Sequence, residues 1–391
     1  MKRLFATAFC FFTSLTSFGQ SFSTKSYPVG AGPAQLIVAD FNGDHIPDIA
    51  TVNAGTNTVS ILINNGDGTF RPQIEFATGP GPVGLAAVDW NKDGKMDLVV
   101  ANSAADAAHS VSILLGNGDG TFQPHHDIPG APNANSIAAG DFNHDGNPDI
   151  ATGTNSPVNA VYASLGNGKG GVLAQKVTTG FGAIAPDPGA NPFLLLKIAW
   201  ADYNRDGKDD LYYIECCGGV DIDFGAWGVL VGNGDGTFTD HLVNGQDFDV
   251  FNLSSMDINQ DGLSDAIVSY RCVHDFCGGV VGRINNGDGT FSDVPDGFMG
   301  ISFENQPDLG GGAAFDVDGD GLKDMVGVGA SFDNDFPTTM TLIISRQNAD
   351  GSFAGSFGTS PSGFVTVPIN APVGESSPPV VADFNHDGKP D

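Results

Sequence analysis

Asp40-Phe41-Asn42-Gly43-Asp44-His45-Ile46-Pro47-Asp48 carries side-chain oxygens at its first, third, fifth and ninth positions, between the apolar runs Leu36-Ile37-Val38-Ala39 and Ile49-Ala50-Thr51-Val52. Runs this short and this rich in β-branched residues are strands rather than helices, so the block is a loop between two strands. The same nine-residue block starts again at Asp89, Asp141, Asp202, Asp257, Asp316 and Asp383, at spacings of 49, 52, 61, 55, 59 and 67 residues. In a chain of 391 residues such a period overrides the usual expectation of two or three domains and predicts one repeat-built domain over residues 20–391.

A second signal follows each block. Asn65-Gly66-Asp67-Gly68-Thr69-Phe70 recurs as Asn117 to Phe122, Asn233 to Phe238 and Asn286 to Phe291, with eroded copies at Asn167 to Gly171 and Ala349 to Phe353. Asn, Asp and Gly in this order supply the positive φ angles of a tight hairpin turn. A third strand such as Val59 to Ile63 leads into the turn and a fourth leaves it at Phe70. Four antiparallel strands per unit predict an all-β, seven-bladed β-propeller with an incomplete seventh blade. The apolar second position of each block, Phe41, Trp90, Phe142, Tyr203, Ile258, Val317 and Phe384, is assigned to packing between blades; a sugar-stacking role for Trp90 or Tyr203 is the weaker reading.

The blocks themselves read as metal loops. Hard cations such as calcium take six to eight oxygen ligands at about 2.3–2.6 Å, and a tight loop with alternate oxygen-bearing side chains supplies them. The candidate ligands, with the position-7 residue offering its carbonyl, are Asp40, Asn42, Asp44, Ile46 and Asp48; Asp89, Asn91, Asp93, Lys95 and Asp97; Asp141, Asn143, Asp145, Asn147 and Asp149. The later copies offer Asp202, Asn204, Asp206, Lys208 and Asp210; Asp257, Asn259, Asp261, Leu263 and Asp265; Asp316, Asp318, Asp320, Leu322 and Asp324; and Asp383, Asn385, Asp387, Lys389 and Asp391. About six full calcium sites and a weaker seventh are expected, and soft metals are disfavoured because no thiol or imidazole holds a ligand position. Position 6 is Gly in every copy but the first, where His45 would have to enter the left-handed region. His144 and His386 fall at position 4, where side chains should point to solvent. An EF-hand is excluded, because it needs flanking helices and a Glu at position 12, where these copies have Thr51, Val100, Thr152, Tyr213, Val268 and Gly327.

With these blocks, and with Gly30-Ala31-Gly32-Pro33 and Gly79-Pro80-Gly81-Pro82 just ahead of a strand and its loop, the chain resembles the FG-GAP or VCBS repeat family, whose relatives include the head propellers of integrin α-subunits. The resemblance implies seven blades with calcium in the hairpins joining the first and second strands, all on one face. Departures are the His45 block, the eroded turn at Lys169 and the missing end of the seventh blade.

Phe22 to Gly30 reads like the close of a repeat, so the N-terminus is expected to donate the outer strand of the last blade, and the stop at Asp391 suggests a fragmentary sequence. Met1-Lys2-Arg3 followed by a short apolar run, with Ser17 and Gly19 ahead of Gln20, predicts a signal peptide over residues 1–19; the run is shorter than the ~20 residues of a membrane span. Export leaves Cys216, Cys217, Cys272 and Cys277 in an oxidising compartment, where disulfides are the default; Cys272 and Cys277 are spaced to bridge locally, and the pairing stays open among three possibilities. The charge of −30 argues against nucleic acid and anionic membranes, although 22 of the 46 acidic residues sit in the metal loops, where seven divalent ions would neutralise 14 charges.

For function, a secreted or cell-surface binding or adhesion module for a protein or glycan leads, with calcium structural. Its ligand is expected on the metal-free face, where the repeats differ most: Ala101 to Ser110, Cys216 to Phe224, Cys272 to Gly279 and Ser331 to Thr339. A polysaccharide-acting enzyme is the alternative. No Gly-x-Ser-x-Gly elbow or His-Glu-x-x-His helix is present, and His125-His126 reads as a solvated loop, so no catalytic residue is named.

Overall fold

The structure is a computed structural model that describes residues 26–104, 109–154, 158–182, 195–216, 225–246, 249–272, 277–301, 309–316, 320–333, 336–347, 364–369 and 382–385. The expected signal peptide over residues 1–19, the candidate loop residues Cys217, Asp318, Asp387, Lys389 and Asp391, the position-4 residue His386 and the expected packing position Val317 lie outside them.

Among the described residues, six four-stranded antiparallel sheets account for the strands, each with its strands hydrogen-bonded in chain order. Blade 1 is β1 (Pro33–Ala39), β2 (Asp48–Asn53), β3 (Thr58–Leu62) and β4 (Ile74–Ala77). Blade 2 is β5 (Pro82–Val88), β6 (Asp97–Asn102), β7 (Val111–Leu114) and β8 (His126–Ile128). Blade 3 is β9 (Ser136–Gly140), β10 (Asp149–Thr154), β11 (Ala160–Gly166) and β12 (Val172–Thr179). Blade 4 is β13 (Leu195–Ala201), β14 (Asp210–Cys216), β15 (Gly225–Gly232) and β16 (Phe238–Gln246). Blade 5 is β17 (Asp249–Met256), β18 (Asp265–Cys272), β19 (Cys277–Asn285) and β20 (Phe291–Ile301), and blade 6 is β21 (Leu309–Phe315), β22 (Asp324–Asp333), β23 (Phe336–Ser345) and β24 (Phe364–Ile369).

The first strands of successive blades touch, β1 with β5, β5 with β9, β9 with β13, β13 with β17 and β17 with β21, which sets them innermost around a common axis. This is an all-β propeller of four-stranded antiparallel blades. Alternation along each strand sends residues to the two neighbouring blades rather than to core and solvent. All six residues of β6 are therefore buried. One core cluster fills each of the four seams from blade 1 to blade 5: Phe41, Val52 and Ile61 meet Leu85, Leu98 and Phe122 between blades 1 and 2, and Tyr203, Tyr212 and Trp227 meet Leu253 and Val268 between blades 4 and 5.

Trp90 is fully buried and Tyr203 nearly so, at 0% and 4% exposure, which places both in the inter-blade core. His126 opens β8 rather than lying in a loop, because the strand resumes there to pair with β7, and His125 Nδ1 sits 2.9 Å from Asp127 Oδ1. Residues 26–30 carry no strand, and Tyr27 sets its ring against Phe70 at 5.1 Å; residues 22–25 lie outside the described region. In the blade 5 hairpin the register sets Cys272 directly opposite Cys277. Among the described residues no helix is long and apolar enough to cross a membrane.

Candidate metal centre

In blades 1 to 6 the nine-residue block joins the first strand to the second, and its polar side chains close onto its own backbone. In blade 1, Asp40 Oδ1 accepts the N–H groups of Asn42 and Gly43 at 3.2 and 2.7 Å, while Oδ2 accepts that of His45 at 2.8 Å. Asn42 Oδ1 then takes the Asp44 N–H, and Asp44 Oδ1 the Ile46 N–H, each at 2.8 Å. The same ladder recurs through Asp89, Asn91 and Asp93, through Asp141, Asn143 and Asp145, and through Asp257, Asn259 and Asp261. In blade 6, Asp316 and Asp320 hold the N–H groups of Asp320, Gly321 and Leu322 in the same manner.

What makes this possible is a backbone that enters the left-handed region twice. Position 6 does so as the glycines require, and His45 joins them at φ 66°. Position 4 does so as well, at Gly43, Lys92, His144, Arg205 and Gln260, and four of these five are not glycine. Two left-handed residues flanking position 5 turn the oxygens of positions 1, 3 and 5 into one short loop.

The ninth position plays a different part from the other three. Asp48, Asp97, Asp149, Asp210, Asp265 and Asp324 are all fully buried. In blade 1, Asp48 Oδ2 accepts the Phe41 N–H at 3.0 Å and Oδ1 that of Asn64 at 2.8 Å, tying the metal loop to the end of the third strand. Asp97, Asp149, Asp210 and Asp265 make the same double tie, to Trp90 and Gly116, Asn143 and Gly166, Tyr203 and Gly232, and Ile258 and Asn285. Burial pushes Asp48, Asp210 and Asp265 up to about 6 and Asp149 to about 7, with Asp97 also raised, against partial relief from those N–H groups. In the turns between the third and fourth strands of blades 2, 4 and 5 the shift is opposite: the Thr two residues on holds Asp119, Asp235 and Asp288 below the usual carboxylate range.

Among the described residues no three His, Cys, Asp or Glu side chains are drawn together as a ready-made metal cluster, since position 3 is an amide in these loops and the carboxylates rest on loop N–H groups. The donor set nonetheless fits a hard cation. It is all oxygen, Asp44 Oδ1 and Asp93 Oδ1 each keep a second lone pair beyond their one N–H bond, and Asp202 Oδ1 is buried with no hydrogen-bond partner. Calcium would be held by positions 1, 3, 5 and 9 with the position-7 carbonyl, and would supply the charge that these neighbouring carboxylates lack.

The loops and turns of this face interlock from blade to blade. The turn glycines Gly120 and Gly236 donate to the carbonyls of Phe41 and Phe142, each at 3.0 Å, and beneath them Phe41 meets Phe122 and Phe142 meets Phe238 edge-on. Gly68 makes the same bond to Phe384, and Phe70 meets Phe384 at 5.3 Å. The described position-4 side chains are exposed, as expected for His144, and three of them add a second tie across the surface. Lys92 Nζ donates to the Gly146 carbonyl at 2.8 Å, Arg205 Nε to that of Gly262 at 3.1 Å, and Gln260 Nε2 to that of Gly321, each reaching position 6 of the next block. These three exposed side chains are long enough to cross the seam, and His386 lies outside the described residues.

Solved structures similar to the chain include AofleA from Arthrobotrys oligospora, at 11% identity over 88% of this chain and 90% of that one, with a TM-score of 0.47. BBS1N in complex with ARL6DN is 10% identical over 89% and 95%, with a TM-score of 0.48. A variant of the Aleuria aurantia lectin in complex with alpha-methyl-L-fucoside is 11% identical over 90% and 99%, with a TM-score of 0.43. No curated protein matches the chain. The family model for the FG-GAP-like repeat matches residues 40–100, 91–152 and 316–391, spans that contain the metal-loop blocks of blades 1, 2, 3 and 6 and of the seventh copy. The chain therefore carries FG-GAP-like repeats over three of its regions.

Proposed function

We propose that this chain is a secreted, calcium-loaded, seven-bladed propeller that serves as a binding or adhesion module for an extracellular protein or glycan. The observation that carries the reading is the repetition of one oxygen-only loop in blade after blade, with the same N–H ladder and the same buried ninth carboxylate. A carboxylate with a raised pKa ordinarily marks a catalytic candidate. Here the shift recurs at the same position in five blades, so it belongs to the scaffold, and the role assigned to the chain is binding rather than catalysis.

Calcium in such loops is structural. At roughly tenfold calcium over its dissociation constant, each site adds about 1.4 kcal/mol, and six sites about 8 kcal/mol, comparable to the whole stability of an ordinary domain. The seventh blade enters this reading through Phe384, which occupies against blade 1 the place that Phe41 occupies against blade 2. The test is a ligand screen with the signal-free chain in calcium and after calcium removal. Binding that disappears only when the metal loss unfolds the chain supports the reading; turnover of a polysaccharide abolished by single substitutions would replace it with the enzyme.

A further inference from the structure

A repeat architecture makes concerted departures visible, and three contacting positions break the pattern together where blades 3 and 4 meet. The residue two before each block is Val38, Ala87, Ala139, Ser255, Ala314 or Val381, but in blade 4 it is Trp200. The residue directly before each block is Ala39, Val88, Ala201, Met256, Phe315 or Ala382, but in blade 3 it is Gly140. Position 8 is Pro47, Met96, Pro148, Ser264, Lys323 or Pro390, but in blade 4 it is Asp209.

The structure brings the three into contact. Leu196 and Ile198 of β13 pack into the blade 3–4 core, and alternation puts Trp200 on the same side, beyond them toward the loop face. A Cβ at Gly140 would stand 3.0 Å from Trp200 Cδ1 and 2.5 Å from Asp209 Oδ2, so the missing side chain is what makes room for both. Asp209 Oδ2 is held there by the backbone N–H of Asp141. Trp200 remains 43% exposed, whereas the other two tryptophans, Trp90 and Trp227, are 0% and 6% exposed. The seam thus holds an indole at the surface beside a fixed carboxylate, near the innermost strands.

Resting on the binding-module reading above, we propose that Gly140, Trp200 and Asp209 form a site for a neutral saccharide, with one pyranose ring stacked on the Trp200 indole and a ring hydroxyl donating to Asp209. An aromatic face takes the apolar C–H face of a sugar, and the adjacent carboxylate accepts its hydroxyl. An anionic ligand is opposed by the chain's charge of −30. A cationic one gains little, because with calcium bound the four carboxylates of this loop, Asp202, Asp206, Asp209 and Asp210, are balanced by the ion together with Arg205 and Lys208. The site lies on the loop face, not on the opposite face where the variable loops emerge.

The test uses the signal-free chain in calcium, titrated with free mono- and disaccharides of the neutral hexoses, 6-deoxyhexoses and N-acetylhexosamines. Because Trp200 is the one exposed tryptophan, acrylamide quenching of intrinsic fluorescence reports on it directly. One class of these sugars is expected to shield Trp200 from acrylamide and to bind in calorimetry, with Trp200→Ala weakening affinity by about tenfold or more, Trp200→Phe by less, and Asp209→Asn by an intermediate amount. Melting curves in calcium should show each variant folded; should Asp209→Asn loosen the seam, the Trp200→Phe and Trp200→Ala pair decides alone. A sugar that binds with unchanged affinity to Trp200→Ala overturns the site but leaves the binding module intact. Failure of every sugar to shield Trp200, or shielding by an oligolysine peptide instead, overturns the ligand class.

Discussion

Phe384 meets Phe70 edge-on, with ring centroids 5.3 Å apart and planes at 70°, and the Phe384 carbonyl accepts Asn64 Nδ2 at 2.9 Å across 320 residues of chain. Asn285 Nδ2 bonds the Tyr203 carbonyl in the same way at the seam between blades 4 and 5, so the contact between the last block and the first blade repeats an ordinary blade seam. Phe142 fills the equivalent place between blades 3 and 4 and is almost fully buried. Phe142→Ala should cost about 3–5 kcal/mol in denaturant unfolding. Phe384→Ala, half-buried, should cost less than that but more than the roughly 0.5–1.5 kcal/mol of an aromatic pair alone. A Phe384→Ala variant with unchanged stability would mean that the ring does not close through this contact.

The two kinds of carboxylate in each block separate by mutation. Fully buried Asp149 holds the buried N–H of Gly166 and the part-buried N–H of Asn143, so Asp149→Ala strands the Gly166 donor at about 1–3 kcal/mol and the Asn143 donor at less, with or without metal. Asp145 is exposed, so Asp145→Ala should change the metal-free melting temperature little and instead remove part of the stabilisation that calcium gives. Urea melts of both variants, each in calcium and after its removal, check the split. Equal losses for both in metal-free buffer would refute it.

The buried ninth carboxylates set a pH dependence whose sign turns on calcium. Their folded-state pKa values, about 6 to 7, lie above the value near 3.8 of an unperturbed Asp. Between those limits the folded, metal-free chain binds more protons than the unfolded one, so its stability falls as pH rises through the window. Bound calcium would hold the ionised form and reverse the slope. Melting temperatures from about pH 5 to pH 8 should therefore decline for the metal-free chain and climb for the loaded one. Slopes of the same sign would contradict the assignment.

His45 pays for its φ of 66°, since a left-handed non-glycine residue costs roughly 1–2 kcal/mol, less what glycine loses through the freer unfolded chain. His45→Gly should raise stability by a few tenths to about 1 kcal/mol and tighten the first site. Differential scanning calorimetry in calcium reads the gain; a destabilised variant would show that the His45 side chain contributes more than its backbone loses.

The blades were legible because the repeat displays its periodicity six times over: the apolar run before Asp40, the block, and the Asn65 to Phe70 turn map onto β1, the loop and the β3–β4 hairpin. Burial of Trp90 and Tyr203 followed from a position that recurs in every blade. Less was visible where neighbours in space decide the outcome. The left-handed position 4 is masked by Lys92, His144, Arg205 and Gln260, residues with no sequence signature for that conformation. Their reach to the next block depends on blade spacing, which periodicity does not specify. The double tie made by Asp48 and its equivalents was hidden behind the ligand role, because one carboxylate letter serves both purposes. Trp200 escaped notice for the opposite reason: within its own repeat it reads as one more apolar strand residue, and only its contacts with Gly140 and Asp209 set it apart.

The most direct measurement is a metal count by mass spectrometry on the signal-free chain, paired with its melting temperature in calcium and in excess chelator. The loaded propeller predicts about five to seven calcium ions per chain and a large drop in melting temperature on chelation. One ion or none, with melting unchanged, would show that the repeated carboxylates serve the backbone alone.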